Sequence, residues 1–170
     1  MHVTRTVVLM AALVPMMAGA QATVSGDVYA VNGAGELLRG AGSLVSVLPD
    51  SPQTLAVMGR LCEASKKDNL RTIMAMSDMT AHSSDPSTVA MRAQIDTLSR
   101  AALDTVRADV NGHYELELSA GDYLFTSRIE AAGTVGQWWK RVTVPKSGHV
   151  RADLSPVDLN STALFCFRVP

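Results

Sequence analysis

The residues that could do chemistry are few and widely spaced. Trp138 and Trp139 stand together ahead of Lys140 and Arg141. Adjacent side chains of a strand point to opposite faces. Trp138 is in phase with Val142 and Val144 and reads as a core residue. Trp139 is in phase with Arg141 and Thr143 and reads as outward. An outward tryptophan beside cations suits a sugar ring or a partner side chain, which makes Trp139 and Arg141 the candidate contact residues. The competing reading packs Trp139 beneath a helical segment. Beyond the N-terminal leader the histidines are His82, His113 and His149. A metal site needs clustered ligands such as H-x-x-x-H or paired cysteines, and the sequence has none, so no metal, cofactor or catalytic residue is assigned. His113 and His149 read as solvated surface side chains. No serine sits in a G-x-S-x-G elbow. Asp27, Asp109 and Asp122 lack the D-x-D-x-D spacing of a calcium loop and read as turn formers. Asn160-Ser161-Thr162 matches a glycosylation acceptor.

The elements that must position these residues alternate between two periods. "TVSGDVYAV", Thr23 to Val31, is rich in strand formers, with Val24, Gly26 and Val28 on one face and Ser25, Asp27 and Tyr29 on the other. "NGAGELLRGAG" reads as a loop and "SLVSVL", Ser43 to Leu48, as a strand ended by Pro49 and Pro52. The period then becomes helical. Ser51-Pro52 reads as a cap with proline at the first helical position, and Leu55, Met58 and Cys62 form a stripe. Asp68 can cap a second helix with Leu70, Ile73, Met74 and Ser77. Asp85-Pro86 repeats the cap signal, with Met91, Ile95, Leu98 and Ala102 at helical spacing. Residues 52 to about 102 are thus a helical insertion. Its methionines, Met58, Met74, Met76, Met79 and Met91, read as core filler rather than a thioether site.

Strand character returns at Thr105 to Ala108. Asp109, Asn111 and Gly112 are turn residues, and so is Gly121; the first turn reads as a hairpin with a bulge. "HYELEL" alternates cleanly, with Tyr114, Leu116 and Leu118 inward and His113, Glu115 and Glu117 toward water. Tyr123, Phe125 and Ser127 share one face of the next strand. "AAGTVG" reads as a loop, "QWWKRVTV" as a strand and "HVRADL" as a strand with Val150, Ala152 and Leu154 inward. The tail "STALFCFRV" is apolar enough for a strand or for packing on the helices. Short strands at regular spacing indicate a sandwich of about seven strands with two or three inserted helices.

The N-terminus and the cysteines bear on the compartment. Arg5, the apolar run "VVLMAALV" and the small residues Ala20 and Ala22 have the form of a secretory leader, residues 1–22, with cleavage expected after Ala22. The run is too short for a membrane span. The remaining chain, residues 23–170, has one domain's length and enough of it to bury a core without a metal or disulfide. An exported protein is expected to be periplasmic or secreted, where Cys62 and Cys166 could pair; two separate buried thiols are the alternative. The formal net charge of −1 gives no nucleic-acid footprint.

Three stretches carry a resemblance. "VSGDVYAVNGAGELLRGAGSLVSV", "VRADVNGHYELELSAGDYLF" and "VTVPKSGHVRADL" resemble the carboxypeptidase-regulatory-like, transthyretin-like β-sandwich family. The matching residues are Gly26 and Val28; Val45 and Val47; Asp109, Gly112, Tyr114 and Leu116; and Ala120, Gly121, Tyr123 and Phe125. The resemblance covers Thr23 to Leu48 and Thr105 to Leu154 and implies a transthyretin-like, Ig-like Greek-key sandwich. It also implies an accessory role beside other proteins. The hydroxyisourate hydrolases on this fold carry a Tyr-Arg-Gly-Ser motif that this sequence lacks. The intradiol dioxygenases on a related sandwich space their iron-binding histidines closely, and His113 and His149 do not match. The function expected is therefore a non-enzymatic binding or interaction module with a protein or carbohydrate ligand. The alternatives are a carbohydrate-binding module using Trp139 or a small hydrolase or metalloenzyme.

Overall fold

The computed structural model describes residues 20–32, 34–67, 86–131 and 134–155. Over these the chain forms nine strands and two helices: β1 (Gln21–Asp27), β2 (Tyr29–Val31), β3 (Leu37–Arg39), β4 (Leu44–Pro49), α1 (Pro52–Lys67), α2 (Pro86–Ala101), β5 (Asp104–Arg107), β6 (His113–Ser119), β7 (Gly121–Ala131), β8 (Thr134–Val144) and β9 (Gly148–Arg151). The strands make a three-stranded sheet ordered β6-β1-β9, a four-stranded sheet ordered β5-β4-β7-β8 and the small hairpin β2-β3. β1 runs antiparallel to β6 and parallel to β9. The result is mainly β, with a helical insertion.

The two large sheets face each other across a core to which both contribute. β1 supplies Val24 and β6 supplies Tyr114, while β4 supplies Val47, β7 Phe125 and β8 Trp138. Tyr114 and Phe125 meet with ring centroids 6.2 Å apart. Trp138 is fully buried, as its phase with Val142 and Val144 predicts. The Tyr114 hydroxyl donates to the Ala152 carbonyl. Gly26 lies against that same carbonyl, where an added Cβ would collide with backbone that cannot move aside. A side chain is therefore excluded at Gly26 by packing, not by its dihedral angles.

A second core lies on the outer side of the four-stranded sheet. Leu48 of β4, Leu124 of β7 and Trp139 of β8 point away from the sandwich interior. They pack against Val57, Met58 and Leu61 of α1 and Leu98 of α2. Ser51 caps α1, its hydroxyl accepting the Thr54 N–H at 3.2 Å, and α2 begins at Pro86 as the cap-proline signal predicts. The buried stripe of α1 centres on Val57, Met58 and Leu61, while Cys62 is only half-buried. The expected stripe of Leu55, Met58 and Cys62 is thus rotated. The second helix expected from Asp68, with Leu70, Ile73, Met74 and Ser77, lies outside the described residues. So do Met76, Met79, His82, the tail with Asn160 and Cys166, and the side chain of Met91.

Three local expectations are corrected. The Asp109–Gly112 turn does not build a hairpin: β5 pairs with β4, β6 pairs with β1, and the turn carries the chain from one sheet to the other. Its chemistry is as read. Asp109 Oδ1 accepts the N–H groups of Asn111 at 2.7 Å and His113 at 2.9 Å. Gly112 has φ +83°, and a Cβ on it would sit 2.7 Å from the Val28 carbonyl oxygen. Turn chemistry fixes the reversal, but the partner of each strand is decided by which apolar face finds which sheet. Gly121 likewise opens β7 on the sheet opposite β6. The stretch read as a loop after Asn32 holds β3, which pairs with β2. Finally, β7 and β8 extend toward each other until Ala131 pairs with Thr134, so the "AAGTVG" loop is mostly strand.

Candidate functional site

The outer face of the three-stranded sheet gathers a connected set of hydrogen-bonding side chains. Strand alternation sends Thr23, Ser25 and Asp27 of β1 to that face, because the buried Ala22, Val24 and Gly26 take the core side. β6 contributes His113, Glu115 and Glu117 by the same alternation. β9 contributes His149 and Arg151. Register sets them in rows: Glu117, Thr23 and His149; then Glu115, Ser25 and Arg151; then His113 opposite Asp27. Rows on one face are about 7 Å apart along a strand.

Thr23, Ser25 and Asp27 of β1 each hold a side chain from a flanking strand. Thr23 Oγ1 donates to Glu117 Oε1 at 2.6 Å. Ser25 Oγ and His149 Nε2 share a hydrogen bond of 2.8 Å. His113 Nδ1 pairs with Asp27 Oδ1 at 3.0 Å, and Arg151 Nη2 reaches Asp27 Oδ2 at 2.5 Å. Arg151 also grips Asp153, whose Oδ1 accepts the Asp27 N–H at 3.0 Å. These groups stay open to solvent: the side chains of His113 and Arg151 are 42% and 56% exposed. Ser25 is the exception, at 4%.

The charges in this network are tuned by their neighbours. Burial pushes the Asp27 carboxyl up, but the hydrogen bonds from His113 and Arg151 outweigh it and hold it below the usual carboxylate range. The backbone N–H groups of His113 and Asn111 hold Asp109 down as well. Arg151 is raised by its bonds to Asp153 and Asp27. Its positive charge is therefore already neutralised by two carboxylates.

The Ser25–His149 contact has the atoms of a nucleophile and its base. β1 is the central strand, however, with its backbone groups committed to β6 on one side and β9 on the other. An oxyanion would need free N–H donors beside the serine, and a central strand does not offer them there. Among the described residues no group of three His, Cys, Asp or Glu is placed to hold a metal ion. The arrangement suits hydrogen bonding to a polar ligand laid across the sheet.

The sequence-derived contact residues fall elsewhere. Trp139 is not a surface platform: it is 6% exposed, in the second core beneath α1 and α2. It faces away from the sandwich interior as its phase predicts, but the helical insertion covers that face. Arg141 is not beside an exposed ring either. Its guanidinium binds Asp50, Nη2 to Oδ1 at 3.2 Å and Nε to Oδ2 at 2.5 Å, tying β8 to the start of α1. Asp27 and Asp109 both lie near His113, whereas Asp122 is on the other sheet, accepting the Thr143 hydroxyl at 2.6 Å. Cys62 sits half-buried on α1, and no cysteine among the described residues is a free thiol. His113 and His149 are at the surface but are hydrogen-bonded parts of the network. Alternation already put Ser25, Asp27, His113 and Glu115 on outward faces; the missing signal was the placing of β1 between β6 and a parallel β9.

The fold and site define a β-sandwich with one outer face roofed by helices and the other open and polar. The chain is similar in fold to a solved structure from Pseudomonas aeruginosa described as a "putative carbohydrate binding protein". The TM-score is 0.51 at 17% sequence identity, over 80% of this chain and 88% of that one. No family model and no curated protein matches the chain.

Proposed function

We propose that this chain is an exported, non-enzymatic carbohydrate-binding module whose binding face is the outer side of β6-β1-β9. The observation that carries this reading is the ladder of polar side chains held in register by β1, open to solvent at every member but Ser25. Sugars are recognised by hydrogen bonds from groups fixed in advance, and fixing them lowers the ordering cost of binding. The likeness to a putative carbohydrate binding protein supports the same ligand class. The Trp139 route to sugar binding is closed by its burial, so recognition here rests on hydrogen bonds rather than ring stacking. A glycan array followed by titration calorimetry tests the reading. Saturable binding that His149→Ala together with Arg151→Ala abolishes supports it. Binding to no glycan, or binding unchanged in that variant, overturns it.

We also infer that the leader is removed before Gln21. Ala22 is fully buried in β1, opposite Leu118 and Gly148. Cleavage after Ala22 would take a core residue and the first residue pairs of both ladders with it, whereas cleavage after Ala20, with Ala18 and Ala20 as the small residues, leaves β1 whole. Mass spectrometry of the exported protein reads the mature N-terminus directly. In an oxidising compartment Cys62 would pair with Cys166, supported by the absence of a free thiol among the described cysteines. Thiol titration of the denatured protein should find no thiol before reduction and two after. Membership of the carboxypeptidase-regulatory-like group remains our proposal, supported by the constraints on Gly26 and Gly112 and the core position of Tyr114.

A further inference from the structure

We propose that the open face selects amino-sugar glycans bearing free ammonium groups over uronate- or sulfate-bearing ones, with Glu115 and Glu117 as the specificity-determining residues. This rests on the carbohydrate reading above and names its ligand class. The argument is one of charge complementarity and of which groups are already engaged. Arg151 is the one arginine or lysine on the three rows, and it is bound to both Asp27 and Asp153. An anionic sugar would have to displace a carboxylate to reach it. His113 is engaged by Asp27 and His149 by Ser25.

Glu115 and Glu117 are differently placed. Both are exposed on β6, on the same face and two residues apart, so their carboxylates rise from adjacent rows about 7 Å apart. Glu117 accepts one hydrogen bond, from Thr23, which leaves acceptor capacity on a carboxylate with two oxygens. Glu115 stands opposite Ser25, and Glu117 opposite Thr23. An oligosaccharide laid across these rows would meet hydroxyl and imidazole groups on the β1–β9 side and carboxylates on the β6 side. Ammonium substituents recurring along the chain would complement those carboxylates, and anionic substituents would be repelled by them.

The test compares three soluble probes on the full exported chain in mildly acidic, low-salt buffer: a glucosamine oligomer, its fully N-acetylated counterpart, and an oligogalacturonate. The first two share a backbone and differ in charge. We expect the glucosamine oligomer to bind about tenfold tighter than the acetylated one, the sum expected of two exposed ion pairs, and the oligogalacturonate to bind weakest. In the double variant Glu115→Gln, Glu117→Gln the tenfold preference should vanish, the glucosamine oligomer and its acetylated counterpart binding with the same affinity whatever that common affinity is. Circular dichroism should show that variant folded, since both positions are exposed. An equal or reversed preference in the wild type, or a preference that survives in the variant, overturns the inference and leaves the carbohydrate reading standing. Binding to none of the three, with a blank glycan array, overturns both.

Discussion

The two outer faces of this sandwich began with similar demands and met them in opposite ways. On the four-stranded sheet the outward residues Leu48, Leu124 and Trp139 are apolar, and α1 and α2 cover them. On the three-stranded sheet the outward residues are Thr23, Ser25, Asp27 and their partners, polar groups that stay in water except for the buried Ser25. An apolar outer face must be roofed, because exposed area of that kind is unfavourable by roughly 25 cal/mol per Å². A polar face can remain open and meet a ligand. The helical insertion is thus read most simply as a roof over one face. The candidate for binding lies on the other.

That contrast can be broken or sharpened by substitution. The largest effect should come from Trp139→Ala. Removing a buried tryptophan should cost about 3–5 kcal/mol, measured by chemical denaturation, with little change in glycan affinity for the molecules still folded. A stability near wild type would show that the roof is not packed as described. Next in size is Arg141→Ala. Asp50 is 11% exposed, and stranding its carboxylate should cost about 1–3 kcal/mol. Asp50→Asn, Arg141→Ala should recover part of that loss, because no unpaired charge is left behind.

Acid should act on the open face. Asp27 and Asp109 are held below the usual value of 3.8, so their contribution to stability is present above that value. It is lost as pH falls through their lower folded values. Thermal unfolding midpoints should drop on acidification in that range, and Asp27→Asn, Asp109→Asn should flatten the drop. An identical acid profile in the variant would remove these carboxylates from the account. The smallest effect on stability is expected from Glu115→Gln with Glu117→Gln, within about 0.5 kcal/mol for exposed positions. If the two faces differ as argued, the change that matters least for folding alters ligand preference most.

Much of this molecule is legible in its sequence because alternation is a local property. "HYELEL" puts Tyr114 in the core and His113 in water whatever β6 pairs with. The same holds for the opposite directions of Trp138 and Trp139, for the Ser51 and Pro86 helix starts, and for the Asp109–Gly112 turn. Alternation could not say that β5 and β6 belong to different sheets, because pairing joins segments distant in sequence and is decided by the core they close. It could not say whether an outward tryptophan meets solvent or a helix. Nor could it bring His149 to Ser25, 124 residues apart. That contact exists only because β9 returns to lie parallel to β1. The sequence by itself determined which way the strand side chains point. The tertiary structure decided what they meet there, because direction follows from the backbone's two-residue period while neighbours follow from long-range packing.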